Sequence, residues 1–252
     1  MVICKKCYKK RWFICNLYII IFRFHIITLT NRRITMKNNK FSAFIPLSYI
    51  LLLVLVSLLY DVLNHLTVGA VNVTTKADEW IPFTKEFIVP YLLWFPYLYG
   101  ALIYYCFADR KLYYVTLSSV LLGKLTSFSI YYMWQTTVTR PEVIGNDVFA
   151  NLVRYIYSID QPVNCFPSIH VLTTFVIMIT AYKRKEQNKW VYVLLTFVGV
   201  LIILSTLFTK QHAFVDAVAG VVLGSFLYAA IYYVFELREQ KVTLRTGQSY
   251  NI

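Results

Sequence analysis

Apolar residues in this chain fall in long unbroken runs, with neither the spacing of an amphipathic helix nor the alternation of a strand. Five runs carry no formal charge: Phe41 to Tyr60, Phe87 to Ala108, Gln161 to Tyr182, Trp190 to Thr209 and Ala217 to Phe235. Each is close to the roughly 20 residues that cross the hydrocarbon of a bilayer. A sixth, Leu112 to Trp134, is interrupted only by Lys124, which either snorkels along its own stem or faces the bundle interior. Backbone in lipid must satisfy its own polar groups, so runs of this length predict helices. The predicted fold is all-α: a polytopic bundle of six transmembrane helices. Trp12 to Thr30, split by Arg23 and His25, is not counted as a span.

Composition supports this class and removes others. Of 252 residues, 58% are hydrophobic and only 15% charged, against about a quarter in a soluble domain. Both a water-soluble globule and a disordered chain are therefore excluded. The net charge of +13 is unevenly placed. From Met36 onward, eleven Lys and Arg residues flank the spans on one side and five on the other. This positive-inside bias predicts cytoplasmic termini, and the expected location is the cell membrane. Residues 1–40 are expected to form a cytoplasmic extension, within which Met36 reads as an alternative start; 41–235 form the membrane domain and 236–252 a cytoplasmic tail. No phosphate-binding glycine loop and no nucleic-acid pattern is present. Cys4 and Cys7 make a lone CxxC, too little for a zinc site, and no metal or cofactor is expected.

The polar residues that packing does not require lie at one end of the predicted bundle. Arg140-Pro141 sits in the loop after the third span, Pro167-Ser168-Ile169-His170 is predicted near the start of the fourth, and Ser205 to Asp216 joins the fifth to the sixth. Pro167 suits the first turn of a helix, placing Ser168 and His170 where free N–H groups and the helix dipole favour an anion. His212 and Asp216 are four apart and share a face, so the carboxylate can hold the ring through Nδ1–H and leave Nε2 as base or nucleophile. Arg140 and Lys210 add positive charge at the same depth. Taken singly, each feature also has a bland explanation: a helix start or a local cap.

Together these residues resemble the type 2 phosphatidic acid phosphatase (PAP2) superfamily, which includes lipid-diphosphate phosphatases and vanadium haloperoxidases. The family's patterns are K-x6-R-P, P-S-G-H and S-R-x5-H-x3-D. Here they are matched by Arg140-Pro141, by Pro167-Ser168-x-His170 and by Ser205-x6-His212-x3-Asp216. The resemblance implies a haloperoxidase-like helical core and a phosphatase acting on a lipid phosphate or diphosphate at the external face. It assigns His212 as the nucleophile that becomes phosphohistidine, Asp216 as its orienting group and His170 as the acid and base. It also implies phosphate-binding roles for Arg140, Ser168 and the N–H groups around Ile169, without a metal. Three positions depart from the patterns. Met133 replaces the Lys seven residues before Arg140, Thr206 replaces the Arg six before His212, with Lys210 as the expected stand-in, and Ile169 replaces the Gly. Lys124 is too distant to replace the missing Lys if helix continued to Arg140, about 24 Å at 1.5 Å per residue.

The string Cys165-x-Pro167-Ser168-x-His170, followed by Ser205-Thr206, also resembles the inositol phosphorylceramide synthase branch. That resemblance implies a lipid phosphotransferase as the alternative, with a catalytically silent lipid-binding relative as a third reading. The expected partners are the bilayer and a lipid phosphate, with no nucleic acid; oligomeric state is left open. Asp61 and His65, spaced i, i+4, read as interfacial, and Gly220-x3-Gly224 as a close helix contact.

Overall fold

The structure, a computed structural model, describes residues 44–64 and 69–246. The N-terminal extension with Met36, Cys4, Cys7 and Cys15, and His65 of the Asp61–His65 pair, lie outside the described residues. Two compact units divide at Tyr49. The described part of the first contains one short helix, α1 (Ile45–Ser48).

The second unit, from Ile50, is mostly helical. In chain order come α2 (Ile50–Asn64), β1 (Val71–Asn72), α3 (Lys76–Glu79), a 3₁₀ turn (Lys85–Phe87), α4 (Ile88–Leu92), α5 (Trp94–Ala108) and α6 (Arg110–Met133). They are followed by β2 (Thr136–Thr137), α7 (Val148–Ile159), α8 (Ile169–Lys183), α9 (Lys189–Phe208) and α10 (Phe214–Thr246). The two strands pair in parallel, Val71 opposite Thr136 and Asn72 opposite Thr137. They are the exception to the expected all-α class.

Among the described residues, three helical stretches are long and apolar enough to cross a membrane: Lys85–Ala108, Lys189–Phe208 and Phe214–Leu244. The first is not one continuous helix. Pro90 and Pro96 cannot donate backbone hydrogen bonds, and the segment is divided between the 3₁₀ turn, α4 and α5. The expected fourth span, from Gln161, is corrected more strongly. Helix begins only at Ile169, because Ser168 takes the N-cap and its Oγ accepts from Val171 N at 3.3 Å. Residues 161–168 can stay irregular because other protein groups satisfy their backbone. Thr136 Oγ1 accepts from the Cys165 and Phe166 N–H groups at 3.0 and 2.8 Å, and the Pro167 carbonyl accepts from Tyr131 Oη at 2.6 Å.

α8 is the central element, packed on α6, α9 and α10, and most of its side chains are buried. Its approach to α10 depends on Gly220 and Gly224. A Cβ at Gly220 would come 2.7 Å from the Ser168 carbonyl, and one at Gly224 would come 3.2 Å from that of Leu172. At the opposite end from the histidines, Lys111 on α6 pairs with Glu236 and Glu239 on α10 at 2.7 and 2.6 Å. α10 continues as helix past 235 to Thr246.

α7 is an element that the apolar runs did not predict. Asp147 caps it, accepting from Phe149 and Ala150 N–H groups at 3.1 and 3.2 Å and pairing with Lys85. Ala150, Val153 and Ile156 form its buried face.

Candidate active site

Two backbone turns bring the histidines together. α9 ends at Phe208, and Lys210 adopts a left-handed φ of 53°, a conformation uncommon outside glycine and asparagine. The reversal is closed by Gln211 and His212 N–H groups, which both donate to the Thr206 carbonyl at 3.0 and 3.1 Å. Thr206 thus serves the site through its backbone. Across from it, Ser168 N donates to the Asp216 carbonyl at 3.0 Å, locking the start of α8 to the start of α10.

His212 Nδ1 lies 3.1 Å from the Cys165 carbonyl oxygen and 3.7 Å from Asp216 Oδ2. A carbonyl can only accept, so Nδ1 carries the proton and Nε2 presents its lone pair. Nε2 lies 3.3 Å from His170 Nδ1, so His170 must be the donor in that contact. Asp216 stands beside His212 Nδ1 at ion-pair distance, and the Cys165 carbonyl is the closer anchor. Asp216 Oδ2 accepts from Ala213 N at 2.8 Å, capping α10, while its Oδ1 is buried without a partner. The bland reading of His-x3-Asp as a cap describes Asp216 well, and it does not describe His212.

His170 is held between two rings, with centroids 5.0 Å from Tyr91 and 4.3 Å from Trp94. Trp94 is fixed by Nε1–H donation to Thr173 Oγ1 at 2.8 Å, one turn below His170. Neither aromatic residue was legible as a site residue in the sequence.

The predicted phosphate-binding residues divide. Ser168 is fully buried and serves as the α8 cap, and Ile169 lines the cavity beside both histidines. Arg140 is adjacent to the His212 turn: Nη2 donates to Gln211 Oε1, Nη1 donates to the Asp160 carbonyl at 2.7 Å, and the guanidinium lies 4.4 Å over the Tyr157 ring. Its Nε is buried without a partner. Lys210 is engaged with backbone, although it lines one cavity with His212. Its Nζ donates to the carbonyls of Asp78, at 2.7 Å, and Ile81, clamping the segment around α3. Burial lowers its pKa, against the raising effect of Asp78. Asp78, which the sequence did not single out, accepts Phe214 N at 2.6 Å and so helps to cap α10.

His212 forms part of the wall of two cavities. One, of about 220 Å³, is lined mostly by apolar surface, from Phe83, Val138, Pro141 and Ala213, with Thr74, Asp78, Glu79, Thr139 and Lys210 also in its wall. The other, of about 390 Å³, is shared with His170 and reaches Asp160, Asn164, Trp94 and Lys124. Burial raises the Asp160 pKa, opposed by the Tyr60 hydroxyl, which donates to it at 2.8 Å, and then by Arg140. Lys124 does not snorkel. It is 4% exposed, donates to Ser57 Oγ at 2.7 Å and faces the second cavity. The 24 Å separation does not apply, because α6 ends at Met133 and the chain turns back through β2. Met133 itself is 71% exposed and outside both cavities.

Cys165, His212 and Asp216 place one possible metal ligand each within 4.8 Å of one another. A catalytic zinc site takes three protein ligands and a water, with any cysteine bound as its thiolate. Burial, then the Asp216 carboxylate, pushes the Cys165 thiol up and keeps it protonated, and His212 Nδ1 already bonds the carbonyl. The trio reads as packing around the histidine.

A family model described as the PAP2 superfamily matches residues 125–240. This interval contains Arg140, the Ser168–His170 turn and the His212–Asp216 turn. No curated protein and no solved structure matches the chain.

Proposed function

Over residues 125–240 the chain belongs to the PAP2 superfamily, and from that premise we propose that it is a lipid phosphate or diphosphate phosphatase working through a phosphohistidine at His212. One observation carries the reading: Nδ1 of His212 donates to a carbonyl while Nε2 faces the Nδ1–H of His170 at 3.3 Å. A nucleophilic lone pair and a proton donor are thereby aimed at one point.

On this reading the His170–His212 contact opens as substrate enters, and Nε2 attacks phosphorus. The bond from phosphorus to the lipid oxygen breaks, its electron pair goes to that oxygen, and His170 supplies the proton. Water then attacks the phosphohistidine and gives a proton to His170, releasing inorganic phosphate and restoring the neutral His212 ring. Arg140 and the N–H groups at the start of α8 hold the phosphate oxygens, which the unpartnered Nε of Arg140 and the helix dipole favour. Asp216 contributes negative charge beside the phosphorylated ring while capping α10. The fold is a six-span bundle in the cell membrane with both termini cytoplasmic and this site on the external face. The asymmetry of Lys and Arg supports that orientation.

The cavity on the other side of His212, mostly apolar but with Thr74, Asp78, Glu79 and Thr139 in its wall, favours a second reading, a lipid phosphotransferase. These four residues could seat an alcohol in place of water. The two readings separate with purified protein in EDTA. A phosphatase releases inorganic phosphate from phosphatidate or a polyprenyl diphosphate without any alcohol, and His212→Ala abolishes the release. A transferase yields a new phosphodiester only when an alcohol headgroup is supplied. His170→Ala is expected to slow turnover by about 10² to 10⁴, and a near-normal rate would reject its role as acid.

A further inference from the structure

Lys124 is a cation for which neither the fold nor the histidine chemistry accounts. Among the described residues it has one hydrogen-bond partner, the neutral Ser57 hydroxyl, and no carboxylate in ion-pair range. A buried ammonium without a counter-ion is costly, and in a membrane segment such a group usually marks a ligand path. Its place is specific. It is nine residues before the end of α6, about 13 Å down the helix, and it faces the same cavity as His170 and His212. Lys124 and His170 both lie against Trp94, the ammonium 5.9 Å from an indole ring centroid and the imidazole centroid 4.3 Å from the ring. Leu92 and Phe95 belong to the same cavity wall and are also exposed on the helix surface, so an apolar tail can leave sideways there.

We infer that Lys124 binds an anionic group on the leaving side of the scissile bond, which makes a lipid diphosphate the substrate class. The inference rests on the histidine phosphatase reading and refines it. A phosphatidate leaves as a neutral alcohol and gives a buried cation no partner, whereas a diphosphate leaves as a lipid monophosphate. In that step His212 Nε2 bonds to the terminal phosphorus, and the bond between that phosphorus and the bridging oxygen breaks. The electron pair stays on the bridging oxygen, now part of the departing monophosphate. The Lys124 ammonium offsets the charge, His170 delivers the proton, and water completes the cycle.

The test compares kcat/KM for a polyprenyl diphosphate and for phosphatidate in the full chain and in Lys124→Met, which replaces the charge with an apolar side chain of similar length. The wild type is expected to prefer the diphosphate, and the substitution to reduce its turnover on the order of 10² more than that of phosphatidate. Inorganic pyrophosphate should inhibit the wild type more strongly than inorganic phosphate, with the difference lost in Lys124→Met. The substrate ratio is an internal control against general damage. Equal losses on both substrates, or a wild-type preference for phosphatidate, with turnover still dependent on His212, would overturn this inference alone. Turnover of neither substrate by the wild type would overturn the hydrolytic reading and the inference with it.

Discussion

His212 and Lys210 are two residues apart, yet the turn between them sends their side chains to different tasks. The His212 ring is anchored by the Cys165 carbonyl at 3.1 Å, whereas the Lys210 ammonium is committed to the carbonyls of Asp78 and Ile81. Lys210→Ala should therefore act mainly on stability, releasing the α3 segment at a cost of about 1.5 to 3 kcal/mol, as for hydrogen bonds to a charge. Thermal unfolding in detergent should show the loss, while kcat/KM should fall less than for Arg140→Ala. The reverse ranking would restore Lys210 as the replacement for the missing family Arg. The sequence made the histidines legible because each stands at a helix start within a short local pattern. Tyr91, Trp94, Asp160 and Lys124 were not legible as site residues, since they come from α4, α5, the end of α7 and α6, and only tertiary packing brings them to the cavity that His170 lines.

At the scale of elements, the site depends on the crossing of α8 and α10. Gly220 lets the Ser168 carbonyl approach within 2.7 Å of where a Cβ would be, and that register places Ser168 N on the Asp216 carbonyl. Gly220→Ala must push backbone against backbone. It should destabilise the protein by about 1 to 3 kcal/mol, the usual range for overpacking, and should lower kcat by displacing His170 from His212. A variant with unchanged melting temperature and kcat would show that the contact is slack. The small-residue spacing of Gly220 and Gly224 announced this approach in the sequence. Two features were hidden. The irregular course of 161–168 was masked by the absence of charge there, although Pro167 announced a helix start close to Ile169. α7 has its own signal in Asp147 as cap and in Ala150, Val153 and Ile156 at spacing i, i+3, i+6, but its twelve residues are too few for a span.

For the whole molecule, the apolar runs made the helical, membrane character legible, while the number of crossings does not follow from the helices alone. Among the described residues three helical stretches have the length and composition to cross, and Ile45–Tyr60 and Ile169–Lys183 are shorter. α6 is long enough but carries Lys124 and many hydroxyl side chains on buried faces. The six-span reading places the 140–147 segment outside and the 184–188 segment inside. Glu142→Cys should then react with an impermeant maleimide on intact cells, and Gln187→Cys only after permeabilisation, against the unsubstituted chain as blank. Labelling of both from the same side would refute that topology.

The most direct test of the account is to trap the covalent intermediate. Purified protein is mixed with a lipid diphosphate labelled in its terminal phosphate, quenched in alkali within milliseconds, and mapped by peptide. A phosphohistidine should survive base, decay in acid, map to His212 and be absent from His212→Ala. Rapid turnover with no protein-bound label at any time, or a label that persists in His212→Ala, would contradict the histidine nucleophile.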